Sequence, residues 1–192
     1  MKKKVILRRK VLRVPTQITL KTINNDLKII TSPFDPAKFI NVNMTFWKGP
    51  KDGKGLEGKE ERDEASLIFR EVDFLKTDFL TCLKNNKEII TGETKLERLK
   101  KSGCILYGVT VAAGLWQNYE SCPNKTKSVL EYLHQKIEII YIDFMGDIFR
   151  NSYGERCVLY FYRDGNSQWH RHYYQLGDNW GKRHLSAVSQ QV

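Results

Sequence analysis

Long apolar runs are missing from this chain of 192 residues. No stretch approaches the roughly 18 apolar residues that a membrane-spanning helix requires, so no membrane span is expected. The basic start of the chain is followed by only three apolar residues, Val5, Ile6 and Leu7, before Arg8 and Arg9. A secretory leader has an apolar segment of about 7–15 residues and a small-residue cleavage site. Neither is seen, which leads us to expect a cytoplasmic protein, with export by another route left open. Cysteine is sparse too: Cys82, Cys104, Cys122 and Cys157 are far apart and form no CxxC. Zinc sites and redox pairs draw on closely spaced ligands, so these thiols are expected to be reduced, buried and inert. Internal repeats and low-complexity tracts are also lacking, which excludes a solenoid.

Several chemical motifs fail on inspection. The glycine-rich stretch at 48–58 invites a phosphate-loop reading. That motif needs four residues between its glycines and a hydroxyl residue after the lysine, so that amides wrap a phosphate and the hydroxyl reaches magnesium. Gly49 and Gly53 are one residue too close, and Gly55 follows Lys54. The stretch reads as a surface turn. His170 and His172, two residues apart, share one side of a strand and, with His184, form a permissible start to a metal site. Asp178 is the only carboxylate in the stretch after His172, however, and no cysteine has suitable spacing. No metal and no cofactor are expected. No serine occupies a strained-turn motif and no cysteine has a local catalytic signature, so no catalytic residue is assigned.

What the chain does contain is 41% hydrophobic residues, enough for a sizeable core, and a formal charge of +10. Much of the excess lies in Lys2, Lys3, Lys4, Arg8, Arg9, Lys10 and Arg13. Clustered cations of this kind suit either a guarded edge strand or a polyanion partner. Hydropathy patterning predicts one or two strands within 5–30, a connector at 32–36 with Pro36 opening a short helix, and a strand at 67–74. A helix is predicted over 91–101, capped by Thr91 and closed by Gly103. A second follows at 109–119, with Ala112, Leu115, Trp116 and Tyr119 on one face, and a third at 125–135. Strands are expected at 137–144, ending in a turn at 145–147, then at 156–162, 168–176 and 185–189. Helices followed by a run of strands read as an α+β fold.

The tail departs most from ordinary patterning. In a strand, residues two apart share a face. Trp169, Arg171, Tyr173 and Gln175 form one set, and His170, His172 and Tyr174 the other. Both sets carry large amphipathic side chains, and Lys and Glu are absent between Trp169 and Gly181. Tyr, Trp, His, Asn, Ser and Gly together make the composition of a paratope, where rigid rings supply area and small polar groups adapt. Trp169, Tyr173 and Trp180 read as core anchors in a cross-strand ladder. His170, His172 and Tyr174 read as surface contacts.

The pattern Arg156-Cys-Val-Leu-Tyr-Phe-Tyr162, then Gly165, Trp169, Tyr173, Leu176, Trp180 and Ser186-Ala-Val188, resembles the variable proteins of diversity-generating retroelements, in particular a group from small candidate-phylum bacteria. Phe34-Asp-Pro-Ala-Lys-Phe-Ile40, Trp47-Lys-Gly-Pro-Lys-Asp-Gly53, Ile90-Thr-Gly-Glu-Thr-Lys-Leu-Glu-Arg-Leu-Lys100 and Leu115-Trp-Gln-Asn118 are similar to the same group. The resemblance implies a C-type lectin-like fold whose 3′-encoded residues are rewritten by an error-prone reverse transcriptase, so that Asn codons scatter into Tyr, His, Ser, Asp, Gly and Arg. It implies ligand contacts at Asn166, Ser167, His170, His172, Tyr174, Asp178, Asn179, Gly181, Arg183 and His184. Two departures stand out. Gln175 occupies a position usually aromatic in this group, and the acidic-Pro-Asn calcium signature of sugar-binding lectins is absent.

Taken together, these readings lead us to expect an α+β, C-type lectin-like protein with helices on a small, mainly antiparallel sheet and an N-terminal β-rich extension. Residues 1–60 would hold N-terminal strands and the Gly-rich loop, and 61–192 the lectin-like domain, with its variable segment at about 151–188. The expected function is non-enzymatic ligand binding, with a protein or another macromolecular surface as partner. The rival expectation is a basic nucleic-acid-binding protein, with rings stacking bases and Lys/Arg contacting phosphates. A hydrolase or transferase using the histidines would need them to converge with a carboxylate.

Overall fold

The computed structural model describes residues 27–32, 39, 43–49, 57–84 and 87–189. Among them are eleven strands and four α-helices. A seven-stranded sheet organises the molecule. Its central path runs β4 (Asp78–Leu80), β11 (His184–Ser189), β7 (Tyr141–Arg150), β8 (Arg156–Arg163) and β9 (Trp169–Gln175). β2 (Thr45–Phe46) adds to the far end of β7, and β6 (Ile105–Leu106) to β11. All pairings are antiparallel except β11 with β7, which run parallel. Two small ribbons complete the strands: β1 (Lys28–Ile30) with β3 (Glu71–Asp73), and β5 (Ile89–Thr91) with β10 (Asn179–Gly181). This is a mixed α+β architecture on a mostly antiparallel sheet.

Period-two alternation sends the side chains of each strand to opposite faces. On one face Ile142, Phe144, Leu159, Phe161 and Ala187 meet Leu115 and Trp116 of α3 (Val109–Ser121) and Leu130 and Leu133 of α4 (Val129–Ile137). Leu27, Ile29 and Met44 join this core, so the early strands are packed onto the same body as the later ones. On the other face Val158, Val188, Leu176 and Trp180 pack against Leu96 and Leu99 of α2 (Gly92–Ser102). That second core covers only part of the sheet.

Helix α2 follows the caps read from its sequence. The Thr91 side chain accepts from the Thr94 amide, and Gly103 closes the helix at φ 77°, a left-handed conformation that costs glycine little. Gly92 is required for a second reason: a Cβ there would lie 2.7 Å from Trp180 Nε1 and 2.8 Å from the Leu176 backbone. The close approach lets the amides of Gly92 and Glu93, which have no partner within the helix, donate to the carbonyls of Asp178 and Leu176 at 3.1 and 2.9 Å. The helix start is thereby fastened to the corner between β9 and β10.

Three sequence expectations are corrected. The strand predicted at 67–74 is present only as the short β3: Leu67 ends a one-turn helix α1 (Glu64–Leu67), whose N-cap Asp63 accepts from the Ala65 amide, and Phe74 begins a 3-10 turn. The helix predicted at 125–135 starts later: Lys125–Lys127 is a 3-10 turn, and Ser128 caps α4 by accepting from the Glu131 amide. The strand predicted at 137–144 instead begins at Tyr141 and runs through Met145, Gly146 and Asp147 as a bulge. Long-range partners hold that bulge. The Gly146 amide donates to Tyr107 O, the Asp63 amide to Gly146 O, and the Asp147 carboxylate accepts from Arg62 Nε at 2.6 Å and from the Val109 amide at 2.7 Å. The predicted connector, the helix at Pro36 and the basic N-terminal residues lie outside the described residues.

Candidate functional site

The uncovered part of the second sheet face is built from two rows. Register pairs His184 with Tyr141, Tyr141 with Tyr162, and Tyr162 with His170, so these four lie across β11, β7, β8 and β9 in one line. The next row is Ser186, Asp143, Tyr160 and His172. Tyr174, opposite Val158, closes the patch at the edge of the second core. Seven rings therefore gather on one face: Tyr141, Tyr160, Tyr162, His170, His172, Tyr174 and His184. His172 is exposed and the other six are half-buried.

The rings stand upright and lean on one another. Tyr141 and His184 stack at 4.6 Å between centroids and 13° between planes; Tyr162 and His170 stack at 5.0 Å and 25°. Tyr160 stacks on Tyr162 at 5.6 Å and meets Tyr174 edge-on at 5.6 Å. Near-parallel rings this close are offset stacks, not plates side by side in one plane. Their faces are spent on each other; of the imidazoles, His170 Nε2 meets Asp164, His172 Nδ1 meets Tyr173 O, and His184 Nδ1 is buried. Burial, together with neighbouring Tyr162, Tyr141 and Tyr174, pushes the Tyr160 phenol up to about 12. Burial also raises Tyr174, with Asp178 and Tyr141 adding to it. His184 is lowered, first by burial and then by Lys95, against the opposing pull of Asp143. Burial thus favours the uncharged forms of Tyr160, Tyr174 and His184.

A buried ion pair lies under the second row. Lys95 of α2 is fully buried and its Nζ is 2.7 Å from Asp143 Oδ2, 2.8 Å from His184 O and 5.0 Å from the centroid of the Trp180 ring. Ser186 Oγ donates to Asp143 Oδ2 as well, while Asp143 Oδ1 has no partner. The cluster binds α2 to β7 and β11 directly beneath the rings.

At one end of the patch is the β8–β9 hairpin. Asp164 Oδ1 accepts from the amides of Asn166 and Gln168, both at 2.9 Å, and Asp164 Oδ2 meets His170 Nε2 at 2.8 Å. These donors, the Gln168 amide first and His170 next, hold the Asp164 carboxyl below its usual range. Ser167 takes φ 66° in this turn. Arg163 anchors the hairpin to α4 through a two-point contact with Glu131 at 3.0 and 3.3 Å.

Of the ten residues suggested by the sequence, His170, His172, Tyr174 and His184 come together in the ring patch. Asn166 and Ser167 lie in the adjoining exposed hairpin. Asp178, near enough to Tyr174 to raise its phenol, leads into the β10 arm with Asn179 and Gly181. Arg183 sits in the exposed turn before β11. Among the described residues no hydrogen bond or ring contact joins Asn179, Gly181 or Arg183 to the rings. Trp169 and Trp180 are buried at 3% and 0%, and Tyr173 packs against the first core. Gln175, at the usually aromatic position, donates to Glu155 at 2.5 Å. Sequence reasoning missed Tyr141, Tyr160 and Tyr162. The alternation Tyr160, Phe161, Tyr162 was the available signal, since it puts both tyrosines opposite the core. It gave no warning of Lys95, whose partner Asp143 is 48 residues away.

Other chemistry is sparse. Among the described residues no group of three or more His, Cys, Asp or Glu is arranged to hold a metal, and no helix is long and apolar enough to cross a membrane. All four cysteines are unpaired; burial lifts the thiols of Cys82 and Cys157 to about 11 and about 12, while Cys82, Cys104 and Cys122 are only half-buried. A charged cleft of about 520 Å³ opens between Lys59, Arg62, Lys100 and the β7 bulge. Its charges are largely matched internally, Lys59 with Glu64, Arg62 with Glu60 and Asp147, and Lys100 with Glu61.

No family model, curated protein or solved structure matches this chain.

Proposed function

We propose that this chain is a non-enzymatic binding protein that contacts a protein or other macromolecular surface through its Tyr/His face. The observation that carries the reading is the gathering of seven rings from four strands on one open face, while Ile142, Leu159, Phe161, Trp169 and Ala187 of the same strands are buried behind them. Such a face offers contact area at low conformational cost, through rings that have few rotatable bonds and carry polar atoms. None of these rings lines the charged cleft, and a face without an enclosing pocket suits a large partner better than a small ligand. No catalytic role is assigned: Asp143 beneath the rings is fully buried and paired with Lys95, and Asp164, which meets His170, is engaged by the amides of its own hairpin turn.

The same reading takes the chain to be a variable protein of a diversity-generating retroelement, with a C-type lectin-like body and a rewritten segment at about 151–188. Support comes from the separation of roles along β9: Trp169 and Tyr173 are packed against the core, while His170, His172 and Tyr174 lie on the open face. The nucleic-acid alternative is weaker, because ring faces already stacked on one another leave no platform for bases. Comparison of sibling copies of the gene, with the DNA that follows it, tests the proposal. Substitutions should concentrate at codons 166, 167, 170, 172, 174, 178, 179, 181, 183 and 184, beside a near-duplicate of the 3′ end and a reverse-transcriptase gene. Substitutions spread evenly along the chain would defeat it.

A further inference from the structure

The outer edge of β9 carries a second inference, distinct from the Tyr/His face. Among the described residues β9 ends the sheet on its side. Bonds from the Leu176 amide to Arg156 O and from the Asp164 amide to Gln168 O fix the ladder's alternation. His170, His172 and Tyr174 therefore bond to β8, and the main-chain groups of Trp169, Arg171, Tyr173 and Gln175 point outward. Three of these outward groups are occupied. The Trp169 amide meets Tyr119 Oη at 3.4 Å, Tyr173 O meets His172 Nδ1 at 2.8 Å, and Gln175 O accepts from Trp180 Nε1 at 3.2 Å. Among the described residues the N–H and C=O of Arg171 and the N–H groups of Tyr173 and Gln175 have no partner. The strand also lacks the usual guards of an edge, having no proline, no lysine and no bulge across its seven residues.

A set of unused donors adjoins this edge. The Arg171 guanidinium is held between Phe39 at 4.3 Å and Trp116 at 5.1 Å, and among the described residues it meets no carboxylate and no acceptor. The indole N–H groups of Trp116 and Trp169 are buried without a partner. These two residues are only 8% and 3% exposed, and Tyr119 touches both, packing against Trp116 with its ring tilted and accepting from the Trp169 amide. A fixed guanidinium with spare donors beside it is a receptor for a carboxylate. We propose that an extended acidic polypeptide segment adds to β9 as a further strand, its main chain pairing with Arg171 and Tyr173 and an Asp or Glu side chain engaging Arg171. A second copy of this chain fits less well, since antiparallel pairing of β9 with itself brings Arg171 close to the Arg171 of its mate.

The test uses the full chain and a displayed library of random twelve-residue peptides. Selected peptides should alternate β-branched with Asp or Glu residues, lose at least tenfold in affinity for Arg171→Gln, and slow amide exchange at Arg171, Tyr173 and Gln175. Tyr173→Pro, which removes an outward N–H and no ladder bond, should weaken the same peptides, and Leu75→Ser, at an exposed position outside β9 and the ring patch, should not. Failure to enrich any peptide, enrichment without acidic bias, or binding indifferent to Arg171→Gln would overturn the proposal. So would dimers of the free chain that dissolve on Tyr173→Pro, or equal competition by a short single-stranded DNA. If Tyr173→Pro does not fold, the Arg171→Gln affinities and the exchange rates decide.

Discussion

The two faces of the β7–β8–β9 sheet are made by the same strands and have opposite characters. Phe161 is fully buried against Phe144 and Trp116, with centroids at 4.9 and 5.2 Å, while its neighbours Tyr160 and Tyr162 stand half-exposed in the ring patch. One residue along the chain separates the buried core from the ring patch. The lesson is that a strand confined on one side by helices can tolerate wide change on the other, because period two decouples the sets.

The largest effect expected from breaking this comparison comes from the core side. Phe161→Ala should lose about 3–5 kcal/mol of stability in denaturant unfolding, from lost burial plus a cavity. Lys95→Met should be similarly severe, about 3–5 kcal/mol, because it leaves Asp143 buried and uncompensated. The double variant Lys95→Met/Asp143→Leu should recover much of that loss, and a double variant no better than the single would break the account of the pair. On the open side, His172→Ser should shift stability by no more than about 0.5 kcal/mol, the usual range for exposed positions.

A smaller effect is set by pH. His184 has a lowered proton affinity in the folded state, so the unfolded chain binds the proton more readily as pH falls through about 6.5. Stability should decline on acidification through that range, and Asp164, also lowered, adds a further loss lower down, in the carboxylate range. Thermal unfolding of His184→Phe should show a flatter profile between pH 7 and 5, and an unchanged profile would remove His184 from the explanation. The smallest change is a gain. Ser167 takes a left-handed conformation in the hairpin, so Ser167→Gly should stabilise by up to about 1 kcal/mol.

Local signals were enough for α2, α3, β8 and β9, since caps, helical spacing and strand alternation lie within a few residues of one another. The short strands β4, β5, β6 and β10 escaped because each is two or three residues long and exists through a distant partner, as Trp180 does opposite Ile90. The turn expected at Met145-Gly-Asp147 became a bulge for the same reason: residues 61–63 and 107–109 supply its hydrogen bonds. In the site, the alternation of β9 was readable, whereas His184 meets Tyr141 through the parallel pairing of β7 with β11. That pairing joins segments about forty residues apart and leaves no mark in either alone.

The central claim is that contact residues can be exchanged without disturbing the body that displays them. Its most direct measurement randomises positions 166, 167, 170, 172, 174, 178, 179, 181, 183 and 184 together in the full chain, then records unfolding midpoints and selects binders against an immobilised globular protein. Most clones should retain the parental midpoint, and binders should emerge whose affinity depends on the new residues. A library that mostly fails to fold, or binders whose affinity is unaffected when these positions are reverted, would contradict the account.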